Sequence, residues 1–163
     1  MRSDDDETGT SPEKYAIRAF VDITDHRAWV EIVSESGKIV KNTKLSCFVL
    51  RPPELFQYLP DEIARHVTLS HGVQITREQQ GFFAIMIEPK IEGFVHDGRV
   101  AYAMIRQLTI ACEKAGLTWF YLVTREPSLQ TLVHKFLQFA YLHKFVGGTA
   151  ILHKSLPVPA PLE

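Results

Sequence analysis

The side chains of this chain best suited to metal binding are its seven histidines and two cysteines, and their spacing argues against that use. A zinc site needs ligands that converge at recognisable intervals. His66 and His71 stand five residues apart, and neither H-E-x-x-H nor C-x-x-C occurs, so no metal is expected. Cys47 and Cys112 lie in apolar stretches far apart in sequence and read as free buried thiols, which fits a reducing, cytoplasmic location. The G-x-S-x-G elbow of a serine hydrolase and the G-x-x-x-x-G-K-[ST] phosphate loop are both missing. Gly147-Gly148 opens an apolar stretch and reads as a bend rather than a phosphate cradle.

The elements that must position any site are clearest between Phe82 and Leu156. FFAIMIEPKI reads as a strand, GRVAYAMIRQLTIACEKAGL as an amphipathic helix and TWFYLVT as a short buried strand. SLQTLVHKFLQFAY reads as a second helix and GGTAILHKSL as a closing strand. In the first helix Ala101, Met104, Ile105, Leu108, Ala111, Cys112 and Ala115 recur at three- and four-residue steps, with Gly116 as its C-cap. The second helix starts after Pro127 with Ser128 as N-cap, and its stripe is Leu129, Leu132, Val133, Phe136, Leu137 and Ala140. The aromatics Trp119, Phe120, Phe136 and Phe139 read most simply as core.

The earlier half is less regular. Lys14 to Val21 reads as a strand. AWVEIV supports two readings: a helix capped by Asp22 or Thr24, or the first arm of a hairpin turning at Ser36-Gly37 into KIVKN. LSCFVL is a strand ended by Pro52 and Pro53, which cannot donate to a ladder. Glu54 to Tyr58 forms a helical turn, and a helix restarts at Pro60-Asp61 and runs through Val67. Gly72 to Glu78 reads as a strand, followed by a turn at Gln79-Gln80-Gly81.

Size and charge set outer limits. A chain of 163 residues, 45% hydrophobic and 23% charged, is expected to make one globular domain. Its boundaries fall at residues 14–156, between an acidic flexible tail at 1–13 and a proline-rich tail at 157–163. No apolar run approaches the ~20 residues of a membrane helix, and no secretory h-region is seen, so no membrane role is expected. Asp4, Asp5, Asp6 and Glu7 against Arg2 make the first ten residues −3, leaving the remainder near +2. That is too little for a nucleic-acid footprint, while the acidic head suits docking to a basic protein partner. The sequence leaves the oligomeric state open.

The strand–helix–strand–helix–strand order resembles the acyl-CoA-binding core of the GNAT acetyltransferase family, over roughly the C-terminal half of the chain. The resemblance implies an α/β fold, a mixed twisted sheet with helices on both faces. Ile87-Glu88-Pro89 is similar to the family's V-x-P element, and Gly98-Arg99-Val100-Ala101-Tyr102-Ala103 lies at its Q/R-x-x-G-x-G/A loop. Ala101 and Ala103 take the glycine positions, Gly98 the Gln/Arg position, and the spacing after Pro89 is about six residues longer than usual. The resemblance implies a CoA or acetyl-CoA site. Its pyrophosphate would rest on Gly98–Ala103 at the helix start, helped by Arg99, and its pantetheine on the backbone of Met86, Ile87 and Glu88.

On this reading the cofactor lies in a splay between the strand Phe82–Glu88 and the strand Trp119–Val123. Glu88 is the candidate general base, given apolar neighbours that raise its pKa, with Glu92, His96 and Asp97 as weaker ones. The family's leaving-group tyrosine aligns with Phe136, which has no proton to give. Tyr141 and His134 point elsewhere on the same helix. Two functions follow. One is a diverged GNAT-fold protein that has lost catalysis and serves as an interaction or structural module, similar to virion-associated bacteriophage proteins. The other is an acetyl-CoA-dependent N-acyltransferase acting on an amine.

Overall fold

The computed structural model describes residues 15–34, 36, 44–70, 81–89 and 98–157. The elements run β1 (Tyr15–Asp22), β2 (Arg27–Ser34), β3 (Leu45–Leu50), a 3-10 turn (Pro52–Glu54), α1 (Leu55–Tyr58) and α2 (Asp61–Ser70). They continue with β4 (Phe83–Ile87), α3 (Gly98–Lys114), β5 (Trp119–Thr124), α4 (Pro127–Phe136), β6 (Ala140–Lys144) and β7 (Ala150–Ser155). Seven strands form one sheet in the order β1-β2-β3-β4-β5-β7-β6. Neighbours are antiparallel except β4 and β5, which run parallel with α3 as their crossover. This is the α/β class expected, a mixed sheet with helices on both faces.

Alternation along the strands makes two cores. Ala84, Met86, Phe120 and Leu122 face Met104, Ile105 and Leu108 of α3 and Leu129 and Val133 of α4. Phe83, Ile85, Tyr121 and Val123 face Leu55 and Leu59 and then Ala64 and Val67 of α2. β4 and β5 are therefore apolar on both faces, as a strand covered by helices on both sides must be. Gly116 ends α3 at φ +87°, with the Leu117 N–H donating to Cys112 O at 3.0 Å, a left-handed cap that glycine adopts without a Cβ penalty.

The structure decides one open reading and corrects one expectation. AWVEIV is strand, part of β2, and pairs with β1 from Tyr15↔Ser34 to Asp22↔Arg27. The KIVKN arm, the strand over 72–78, the turn residues 79 and 80, the tail at 1–13 and residues 158–163 lie outside the described residues. The second C-terminal helix starts at Pro127, with Glu126 as its cap and Ser128 Oγ bonded to Glu126 Oε1 at 2.9 Å. It stops at Phe136 instead of running through FAY. Gln138 takes φ +64°, and the Leu137 and Phe139 N–H groups both donate to Val133 O, at 3.2 and 3.0 Å. A non-glycine residue in the left-handed region supplies the stop, so no glycine announced it, and Ala140–Lys144 becomes strand β6.

No helix among the described residues is long and apolar enough to cross a membrane. Leu156, 2% exposed, closes the fold, its N–H bonded to Thr118 O at 2.9 Å.

Two predictions follow from the packing. A Cβ at Gly81 would stand 2.4 Å from Thr118 Cγ2 and 3.1 Å from Thr118 Cβ, a short side chain that cannot swing away. Gly81→Ala is expected to destabilise by about 1–3 kcal/mol, and Thr118→Ala in the same chain to recover most of it, read as a double-mutant cycle in urea. His153 on β7 stacks on Trp119 at 5.1 Å, and its Nδ1 is buried without a hydrogen-bond partner. Burial lowers its pKa. As pH falls below about 6.5 the unfolded chain therefore takes up the proton first, and stability drops until the lower folded value is passed. His153→Phe should flatten that part of the stability–pH curve; an unchanged curve would remove His153 as its source.

Candidate functional site

The carboxyl ends of the parallel strands carry the polar groups that their buried middles exclude. β4 and β5 pair without a break from Phe83↔Trp119 to Ile87↔Val123. The Glu88 N–H continues the ladder to Val123 O at 2.7 Å. The splay expected between these strands is therefore absent over their paired length, because both are apolar on both faces and neither carries a proline or bulge to force them apart. The chain turns away after that bond. Glu88 has φ +44°, a left-handed conformation uncommon for a non-glycine residue. Its Oε2 accepts the Arg125 N–H at 3.3 Å, across the gap to the residue that follows β5. Glu88 is exposed.

Beside these ends lies a cavity of about 720 Å3, within the range of small-molecule sites. One wall is Pro60, Glu62 and Ile63 at the start of α2, and the floor is Ile87, Glu88 and Val123. The other wall is the β6–β7 hairpin, from His143 to Gly147 with Thr149. The hairpin turn is closed by the Phe145 N–H to Thr149 O at 2.8 Å and by Gly148 at φ +98°. α2 leans on it through His66, whose ring stacks on His143 with centroids 3.8 Å apart, while Phe145 sets its edge against both rings. Lys144 also lines the cavity, with its ammonium 4.2 Å from the centre of the Tyr141 ring. The acidic groups left on the cavity wall are Glu62 and Glu88, set among Ile63, Ile87, Phe145 and Val146. That combination suits a ligand with an apolar body and a cationic head.

Gln130 fixes the geometry from behind. It is buried in α4, and its Nε2 donates to Thr124 O at 2.9 Å and to Gly148 O at 3.0 Å, tying the end of β5 to the hairpin.

The residues expected to hold CoA separate into two groups. Ile87 and Glu88 reach the cavity, whereas Met86 is fully buried on the α3 side. Gly98 and Arg99 are exposed in the first turn of α3, Val100, Tyr102 and Ala103 are half-buried, and Ala101, 4% exposed, faces the core. A Cβ at Gly98 would meet Leu132 Cδ1 at an ordinary 3.6 Å, so no tight backbone cradle requires glycine there. Glu92, His96 and Asp97 lie outside the described residues. The Glu88 N–H, expected to meet pantetheine, is given to Val123 O at 2.7 Å. Phe136 is the last residue of α4 and 66% exposed. Tyr141 is on β6, not on that helix, and its ring packs 4.9 Å from His134, whose Nδ1 lies 2.8 Å from Phe139 O. No group of three or more metal-ligating side chains occurs among the described residues.

No family model and no curated protein matches the chain. Solved structures do. FeeM, an N-acyl amino acid synthase from uncultured soil microbes, superposes with a TM-score of 0.56 at 12% identity, over 90% of this chain and 92% of that one. Arylalkylamine N-acetyltransferase 2 from Aedes aegypti superposes at 0.50 with 10% identity, over 79% of this chain and 73% of that one. At such identities the likeness is one of fold. The chain has the GNAT acyltransferase fold.

Gln130→Leu keeps the volume of the side chain and removes both donated bonds. It is expected to cost about 1–3 kcal/mol by leaving Thr124 O and Gly148 O without their donor. Amide exchange should speed up in the hairpin around Gly148 more than in α3; uniform exchange would mean Gln130 does not hold the hairpin.

Proposed function

We propose that this chain is a GNAT-fold protein whose acyl-CoA groove is closed, and that it works as an interaction or structural module, within the cytoplasm or in a virion, rather than by acyl transfer from CoA. The observation behind this reading is the unbroken ladder from Phe83↔Trp119 through the Glu88 N–H to Val123 O. The exposed Phe136 and the buried Ala101 point the same way. The acidic residues Asp4 to Glu7 supply a docking segment for a basic partner.

The cavity supports a second reading, an N-acyltransferase that takes an amine. The neighbours' names, an N-acyl amino acid synthase and an arylalkylamine N-acetyltransferase, belong to proteins of this fold. In this chain the amine's ammonium would meet the carboxylates of Glu62 and Glu88, and its apolar body Ile63, Ile87 and Phe145. Glu88, hydrogen-bonded to the Arg125 N–H, would accept the proton that the amine sheds before it attacks a carbonyl.

Calorimetry and thermal melting with CoA and acetyl-CoA separate the two. A ligand at 100 times its dissociation constant stabilises by about 2.7 kcal/mol, which would raise Tm by roughly 5–10 °C. The closed-groove reading expects no heat and no shift at millimolar CoA. A saturable heat with acetyl-CoA would overturn it, and turnover with an apolar amine that falls by about 100-fold or more in Glu88→Gln would establish the second reading.

A further inference from the structure

Alternation along β3 sends Leu45, Cys47 and Val49 to the α3 side of the sheet and Leu50 to the α2 side, which places Phe48 on the α2 side as well. There Phe48 meets Tyr58, the last residue of α1, with ring centroids 6.1 Å apart, and Tyr58 meets His26 at 5.5 Å. The His26 ring is held in place, its Nδ1 lying 3.4 Å from Val49 O and 3.6 Å from Glu54 Oε2. Phe48 and Tyr58 nevertheless remain 37% and 43% exposed. The three rings are tilted against one another, by 33° and 50°, so they do not stack flat and leave shallow clefts between them. Clefts between aromatic rings suit proline. A polyproline II segment is extended before it binds, loses little entropy on docking and lays its pyrrolidine rings on aromatic faces.

The chain carries a segment of that chemistry, for residues 157–163 read PVPAPLE. At three residues per turn its ridges are Pro157 with Ala160, Val158 with Pro161 and Pro159 with Leu162, so every ridge is apolar and holds one proline. The strand register sets where this segment starts. Ser155 pairs with Trp119, Trp119 with Phe83 and Phe83 with Leu50, so the ends of β7 and β3 lie in one row across the sheet. Leu156 is fixed at that end by its N–H to Thr118 O. Three strand steps make the row roughly 14 Å wide, and Phe48 stands about 7 Å back along β3. Seven residues in polyproline II form reach about 22 Å, enough to bring the later prolines onto the rings. We propose that residues 157–163 dock as a polyproline II segment on the surface formed by His26, Phe48 and Tyr58 of the same chain. A proline-rich segment of another protein then enters only by displacing the tail, which competes at the roughly millimolar effective concentration of a short tether.

The test uses amide NMR on the full chain, with a synthetic peptide of residues 157–163 as the probe. Pro159→Gly and Pro161→Gly, made together, should shift the amide signals of Phe48 and Tyr58 and leave those of α3 in place. The peptide should bind that double variant at least about 10-fold more tightly than the unaltered chain, whose own tail competes for the surface. Tyr58→Ala, at an exposed position, should weaken peptide binding to the double variant by about 10-fold or more with Tm unchanged. Phe48→Ser should weaken it likewise, so the result does not hang on one ring. Phe48 and Tyr58 signals that stay put in the double variant, or peptide binding that survives both ring substitutions, would overturn the proposal. Dimers of the full chain that vanish in the double variant would place the tail on a second copy and overturn docking within one chain.

Discussion

The parallel pairing of β4 with β5 is the constraint around which the molecule is arranged. A parallel pair cannot be closed by a tight turn, so the chain must leave the sheet, cross one face and return, and α3 is that crossing. Once both strands lie in the middle of the sheet, each must be apolar on both sides. Ala84, Ile85, Met86, Phe120, Tyr121 and Leu122 are all fully buried. Burial of each large side chain contributes roughly 1.5–3 kcal/mol. No charged side chain sits in this stretch, and chemistry is displaced to where the strands end.

That displacement explains the character of the site. Glu88 is the first polar side chain after the buried run, and it sits there in a strained backbone conformation, of order 1–3 kcal/mol for a non-glycine residue. The bonds that hold it are its own N–H to Val123 O and the Arg125 N–H to its carboxylate. Behind it, Gln130 joins Thr124 to Gly148, so the floor of the cavity and the base of the hairpin form one rigid piece. The α2 side is different. It rests on ring contacts, His66 on His143 and both against Phe145, which can slide without breaking a directed bond. A rigid floor therefore meets a more yielding wall.

Sequence periodicity revealed the fold where a strong local signal existed. The stripe of α3 with Gly116 at its end, the bulky run of β5 and the prolines after β3 each carried their own reason. The end of α4 had no such signal, because a glutamine rather than a glycine takes the left-handed turn at position 138, and β6 was hidden as a result. β2 was ambiguous because Trp29 and the buried Glu31 interrupt its apolar run, the indole N–H donating to the carboxylate at 2.9 Å, so its pattern is not cleanly apolar. The site was half visible. Glu88 followed from the likeness of IEP to a known element, but Glu62, His66, His143 and Gln130 come from three separate elements with no shared spacing. His143 in addition lies two residues past the segment read as helix, on a strand that the sequence reading did not expect.

The same pairing weighs on whether a cofactor chain can enter between the strands. Peeling the ladder back from Glu88 to Met86 would break about two backbone bonds, each worth about 0.5–1.5 kcal/mol net, and an incoming amide-rich chain could replace them. The side chains are a larger obstacle. Met86 is fully buried and Val123 is 1% exposed, and they serve opposite cores. Parting the strands would loosen both at once, at roughly 1.5–3 kcal/mol each if their burial were lost. It would also pull on Thr124, which Gln130 anchors to the hairpin. Opening the groove therefore opposes packing on both faces together, whereas the cavity beside it is reached without moving either strand. For this chain, packing on both faces resists parting the strands, while the cavity at the strand ends is open without it.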